Sequence, residues 1–156
     1  MSKETVISMA RGAEDLDAAR QLFSEYHEWL KAPVCFEDFE AEMQDLETIY
    51  APPKGLLVIA KDGDGNVAGG VGIAPVSADV CEMKRLFVRH AWRETHLGRR
   101  LANRTVDFAR SAGYRVLRLD TLERLHSSIK LYKSMGFNEI SPDEQKEGVI
   151  YMELTL

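Results

Sequence analysis

Apolar residues recur at three- and four-residue spacing from 15 to 31, with Leu16, Ala19, Phe23, Tyr26 and Leu30 on one stripe. That period predicts an amphipathic helix. A short apolar run at 6–9 precedes it and reads as an opening strand. A second helical stripe, Phe36, Phe39, Met43 and Leu46, predicts a helix over 36–49 that stops at Ala51-Pro52-Pro53. Residues 56–60 and 67–73 are then strand candidates around Asp62-Gly63-Asp64-Gly65-Asn66, which carries hairpin turn chemistry.

After a turn at 75–79 the pattern gives a strand over 80–88. An amphipathic helix starts near Leu97, carries Leu101, Thr105 and Phe108 on one face, and stops at Gly113. A strand at 116–120, a helix at 127–135 ending before Gly136, and strands at 137–140 and 149–154 complete the order. Hairpin chemistry in the first half and a strand-helix-strand crossover in the second predict a mixed sheet with helices on both faces, an α/β (α+β) arrangement. At 156 residues the chain is expected to form one domain over 4–156.

Composition narrows the function. Residues 1–3 lead into no apolar leader, and no apolar run reaches the length of a membrane span, so a soluble, cytoplasmic protein without membrane partners is expected. Cys35 and Cys81 stand far apart with no Cys-x-x-Cys spacing, which predicts two reduced, structural thiols. The histidines His27, His90, His96 and His126 lack metal-ligand spacing, so no metal site is expected. A pI near 5.4 argues against a nucleic-acid binder, whose footprint is basic over the domain.

Charge is nevertheless uneven. From residue 84 to 104 there are seven bases (Lys84, Arg85, Arg89, Arg93, Arg99, Arg100, Arg104) and one acid, Glu94, a local excess of +6 in a chain of net charge −5. This basic stretch spans the passage from a strand into the start of a helix, where unpaired N–H groups and the helix dipole favour phosphate. A small anionic ligand suits it.

The element order, the phosphate-type turn at Arg93-Glu94-Thr95-His96-Leu97-Gly98, and Leu131-Tyr132-Lys133-Ser134-Met135-Gly136-Phe137 together resemble the GNAT superfamily of acetyl-CoA-dependent N-acetyltransferases. The resemblance covers essentially the whole chain. It implies a three-layer fold around a mixed sheet of about seven strands, with acetyl-CoA as cosubstrate and no metal. The family's coenzyme motif, Q/R-x-x-G-x-G/A, falls on Arg93, His96 and Gly98; His96 stands where the family has glycine. By the same resemblance Leu86, Phe87 and Val88 form the strand that pairs with the pantetheine arm. Arg93, Glu94, Thr95, His96, Leu97, Gly98 and Arg99 then surround the pyrophosphate, and Ser127 takes the place of a frequent family asparagine. Tyr132 takes the position of a tyrosine that protonates the departing thiolate.

Direct acetyl transfer needs a neutral amine, and Glu82, on the same strand, is the candidate base, acting through water. Its alternative is a structural ion pair with Lys84 or a base on a neighbouring strand. The alternative for Tyr132 is a core tyrosine. Tyr26, His27 and Trp29 lie where the family's first helices wall the acceptor pocket. The acid run Glu37, Asp38, Glu40, Glu42, Asp45 and Glu47 reads as a solvated helix face. It also belongs to an acidic first half, residues 1–83 carrying sixteen acids and six bases, whose field can draw a cationic amine. The expected partner is a small-molecule or peptide amine, with room for a homodimer. A non-catalytic acyl-CoA-binding module and an interaction protein on the same fold are the competing readings.

Overall fold

The computed structural model describes residues 4–31 and 38–156. Its strands are β1 (Thr5–Met9), β2 (Leu56–Asp62), β3 (Val67–Pro75), β4 (Val80–Val88), β5 (Val116–Leu122), β6 (Asn138–Ile140) and β7 (Val149–Thr155). The helices are α1 (Gly12–Leu30), α2 (Phe39–Gln44), α3 (Leu46–Ile49), α4 (Leu97–Ser111) and α5 (His126–Ser134). The described strands form one mixed sheet of seven in the order β1-β2-β3-β4-β5-β7-β6; the sequence pattern leads one to expect a mixed sheet but does not give this order. Among the described residues only β4 and β5 pair in parallel, joined by the α4 crossover.

The period of two along β2 explains the layers. Leu57 and Ile59 pack with Leu16, Leu22 and Phe23 of α1, while Leu56, Val58 and Ala60 pack with Leu97, Leu101 and Val106 of α4. Both faces of the strand are therefore covered. Arg11 donates its backbone N–H to the Asp15 carboxylate at 2.8 Å, which fixes the start of α1, and Lys31 ends that helix in the left-handed region. At Gly72 the sheet is notched for an aromatic ring: a Cβ there would lie 2.6 Å from Cε1 of Tyr50.

The helix expected over 36–49 is broken in two. Asp45, at φ −128°, leaves helical geometry between α2 and α3. The break lets Met43 and Leu46 both reach the α1 core and brings Tyr50 into it. Phe36 and Cys35 lie outside the described residues. Cys81 is fully buried, and burial pushes its thiol up to about 12, so it is an inert core residue at neutral pH. Among the described residues no helix is long and apolar enough to cross a membrane.

The feature that positions the site is a fault in the sheet. β4 pairs with β5 only from Val80 to Glu82, opposite Val116 to Arg118, although both strands continue beyond. On its other side the register of β4 against β3 slips between Gly70↔Phe87 and Gly72↔Lys84, so β4 holds one extra residue. Arg85 takes up that residue in a left-handed conformation, φ 64°. Such a bulge bends and twists its strand. β4 and β5 consequently part like the arms of a V.

Candidate active site

The V opens into a cavity of about 1000 Å³. Leu86, Phe87 and Val88 of β4 form one wall, Leu119, Asp120 and Thr121 of β5 another, and α5 contributes Ser127, Leu131 and Tyr132. Along Leu86–Val88 the edge that faces β5 has left the parallel ladder, so backbone groups there are open to an extended ligand, apart from the Val88 carbonyl, which accepts from Arg93. The turn after β4 closes one end.

That turn consists of a short 3₁₀ segment, His90–Trp92, then Arg93 to His96 leading into α4. Glu94 and His96 both stand at φ 64°, a region that disfavours side chains. The position where the family motif has glycine is therefore one whose backbone conformation favours glycine, and His96 occupies it as the residue before α4. Gly98 follows on the cavity wall. A Cβ there would meet only Val88 Cγ2 at 3.9 Å and Leu131 Cδ2 at 4.0 Å, so glycine is not required by the packing of the chain itself. What its missing side chain provides is close access to the first turn of α4. The first intrahelical bond in that turn runs from Arg100 N–H to the His96 carbonyl, leaving the N–H groups of Leu97, Gly98 and Arg99 for a ligand.

Of the residues expected at the coenzyme, Leu86, Phe87, Val88, Arg93, Glu94, His96, Leu97, Gly98, Arg99 and Ser127 all line this one cavity. Thr95 does not; its hydroxyl bonds the Trp92 carbonyl and braces the turn. Tyr26, Trp29 and Tyr132 line the cavity as well. His27 is turned away from it, its ring stacked on Phe39 with centroids 4.4 Å apart.

The basic stretch is less concentrated in space than along the chain. Arg89 pairs with Glu25 of α1, Arg100 bonds Thr5 on β1, and Arg85 is bound to Glu42. Arg93 folds back to donate to the Val88 carbonyl at 3.1 Å and lies 4.9 Å over the Trp29 ring. Arg99 stays on the cavity wall, held by the Ser134 hydroxyl at 2.8 Å. Arg124 and Lys130, around α5, add positive charge that the sequence pattern left unassigned. His90 and His126 lie exposed on the same cavity wall.

Glu82 does not line the main cavity. It lies half-buried in an adjoining pocket of about 70 Å³ with Tyr26, Arg85, Asp120 and Thr121, which line both. No ion pair holds it among the described residues, so its structural alternative is without a partner. Burial, reinforced by the nearby Asp120 charge and opposed by Lys84, raises its pKa above the ordinary glutamate range. Asp120, exposed on β5, is a second carboxylate that sequence reasoning missed; an acid at a strand end carries no local signal. Tyr132 is buried, with its ring 5.7 Å from that of Phe137, and burial raises its hydroxyl above the usual phenol value. It therefore remains protonated across the neutral range.

Glu42 departs most from expectation. Assigned to a solvated face, it is 7% exposed, bound at two points by Arg85 and hydrogen-bonded by Tyr50 at 2.9 Å. Among the described residues no group of three or more His, Cys, Asp or Glu is placed to hold a metal ion.

Residues 16–137 match the acetyltransferase (GNAT) family. The chain belongs to that family. It is 33% identical to an uncharacterised N-acetyltransferase of Schizosaccharomyces pombe over 96% of this chain and 94% of that one. It is 32% identical to the IAA acetyltransferase of Azospirillum brasilense over 87% of each. The fold superposes on an acetyltransferase of Streptococcus agalactiae with a TM-score of 0.83 at 22% identity, covering 99% of this chain and 100% of the other. A putative acetyltransferase of Salmonella typhimurium, solved with its cofactor acetyl-CoA, superposes with a TM-score of 0.75 at 19% identity over 98% and 94% of the two chains. This GNAT member is thus an acyltransferase of a family that uses acetyl-CoA, which disfavours the non-catalytic readings.

Proposed function

We propose that this acetyltransferase binds acetyl-CoA in the cleft between β4 and β5 and passes the acetyl group directly to a primary amine. The observation that carries the reading is the splay itself: a strand edge at Leu86–Val88 that has left β5 lines one cavity with an N–H-rich helix start and with Tyr132. The cleft suits a long thioester with phosphates at one end. Bound there, acetyl-CoA supplies the activated acyl carbonyl and a thiolate leaving group.

The N–H groups of Leu97, Gly98 and Arg99, with the cations Arg99 and Lys130 on the same cavity wall, receive the phosphates. The Leu86–Val88 edge orients the arm as an added strand would.

An alkylamine with a pKa of about 10.4 is neutral in only about one molecule in 2,500 at pH 7, so a base must assist. Glu82 takes that proton through water in the small pocket, and Asp120 draws the ammonium form in. As the amine nitrogen bonds to the acyl carbon and the carbon–sulfur bond breaks, Tyr132 gives its proton to the sulfur, and the second proton that the nitrogen sheds in becoming an amide passes to solvent, from which Tyr132 is reprotonated. No covalent enzyme intermediate is needed.

The test is thiol release from acetyl-CoA against a panel of amines, amino acids and peptides. Amine-dependent release with stoichiometric N-acetyl product is expected. Binding of acetyl-CoA with no transfer to any amine in the panel would overturn the reading.

A further inference from the structure

We propose that the acceptor is a zwitterionic amine, a free amino acid or close analogue, whose carboxylate docks on Arg124. The inference rests on the acetyl-transfer reading above and narrows its acceptor.

Arg124 lies in the turn between β5 and α5, exposed on the wall of the main cavity. Its guanidinium donates to the carbonyl of Leu30, the last residue of α1. That bond sets its place. Leu30 and Leu125 line the small pocket that holds Glu82, so Arg124 stands at the junction of the two pockets on the acceptor side.

The other cations of the cavity are engaged differently. Arg85 is neutralised by Glu42, Arg93 lies against Trp29 and the Val88 carbonyl, Arg99 is tied to Ser134 at the far end of α5, and Lys130, also on the cavity wall, is assigned above to the phosphates. Arg124 has no carboxylate partner among the described residues. A carbonyl satisfies one of the five guanidinium N–H groups and leaves the charge uncompensated. Asp120 lines the same cavity as Arg124, and Glu82 lies in the adjoining small pocket, which Asp120 also lines.

Opposite charges lining one cavity, Arg124 and Asp120, with Glu82 in the pocket beside it, match a ligand with an ammonium and a carboxylate a few bonds apart. A simple alkylamine would satisfy the carboxylates and leave Arg124 without a counter-ion in a cleft being covered by ligand, at a cost in binding. The guanidinium fork also suits two-point recognition of a carboxylate.

The test compares matched acceptors, each amino acid against its decarboxylated amine, for wild type, Arg124→Gln and Arg124→Lys, with CoA calorimetry alongside. Wild type is expected to favour the amino acid in kcat/KM by about 10-fold or more. In Arg124→Gln that preference collapses towards one through a raised KM for the amino acid, and Arg124→Lys restores part of it. CoA binding persists in all three.

Amines acetylated as well as their amino acids, or no amino acid acetylated by a wild type that binds CoA, overturns the proposal. So does an Arg124→Gln variant that loses both substrates equally through kcat, since that marks a clamp on α1 rather than a carboxylate site. Failure of CoA binding in wild type would instead fall on the acetyl-transfer reading.

Discussion

Arg85 on β4 and Glu42 on α2 grip each other at two points, Nη2 to Oε1 at 2.6 Å and Nε to Oε2 at 3.0 Å, with each side chain only 8% exposed. The pair joins the extra residue of the bulge to the helical segment over it. It thereby holds the kink that parts β4 from β5.

Glu42→Gln leaves a buried guanidinium without its counter-charge and is expected to cost about 3–5 kcal/mol at pH 7, measured by urea unfolding. Burial alone would raise the Glu42 carboxyl, but the hydrogen bonds and charge of Arg85 outweigh it and hold it below the ordinary glutamate range. A depressed folded-state pKa gives stability that is complete above the unfolded value of about 4.3 and is lost as pH falls through the folded one. The gap between wild type and variant should stay constant above about pH 5.5 and narrow below about pH 4. A gap independent of pH would contradict the assignment.

Glu82 behaves oppositely. Its raised pKa places the acid limb of kcat/KM above the ordinary glutamate value of about 4.3, because the base must be ionised to act. Glu82→Gln should lower kcat by roughly 10²-fold and remove that limb. A carboxyl whose folded pKa is raised contributes stability at low pH that is lost as pH rises through that value. The variant should therefore melt no lower than wild type at pH 8. A wild-type profile already flat from pH 4.5 upward would exclude Glu82 as the base.

Tyr132→Phe removes the proposed proton donor while keeping the ring against Phe137. The expectation is a fall in kcat of roughly 10²-fold with CoA affinity unchanged. Because burial raises the hydroxyl, no alkaline limb from Tyr132 should appear below about pH 10. Steady-state rates with single-turnover controls decide it, and an unchanged chemical step would move the proton to water.

His96 stands in the left-handed region, so His96→Gly should hold or raise stability by up to about 1 kcal/mol after the entropy of the freer unfolded chain is counted. His96→Val should lower it by about 1–2 kcal/mol, since a β-branched side chain tolerates that region worst. Thermal melts of the two variants test the conformation of the turn directly. Equal melting temperatures would contradict it.

The elements and the turn were legible in the sequence because their signals are local: strand alternation at β2, the stripe of α1, the order strand, turn, helix around Arg93 to Gly98. The segment that ends in Gly136-Phe137 singled out Tyr132, which the structure puts on the cavity wall. The bulge at Arg85 was not, since it exists only in the register of β4 against β3. The burial of Glu42 follows from the break at Asp45, which turns one residue of an acidic helix inward while Glu40 and Glu47 stay exposed. Asp120 and Arg124 lie 16 and 20 residues beyond Arg104, the end of the basic stretch, and reach the same cavity only through the α4 crossover.

The most direct test of the account is calorimetric titration of acetyl-CoA into wild type and Gly98→Val. A Cβ at this position meets no close atom of the protein, with Val88 and Leu131 no nearer than 3.9 Å, and it stands on the cavity wall at the start of α4, where the phosphates are proposed to bind. Wild type should bind, and the variant should melt within a few degrees of it while binding about tenfold more weakly or not at all. Equal affinity in a folded variant, or no binding by wild type, would contradict the placement of the coenzyme in this cleft.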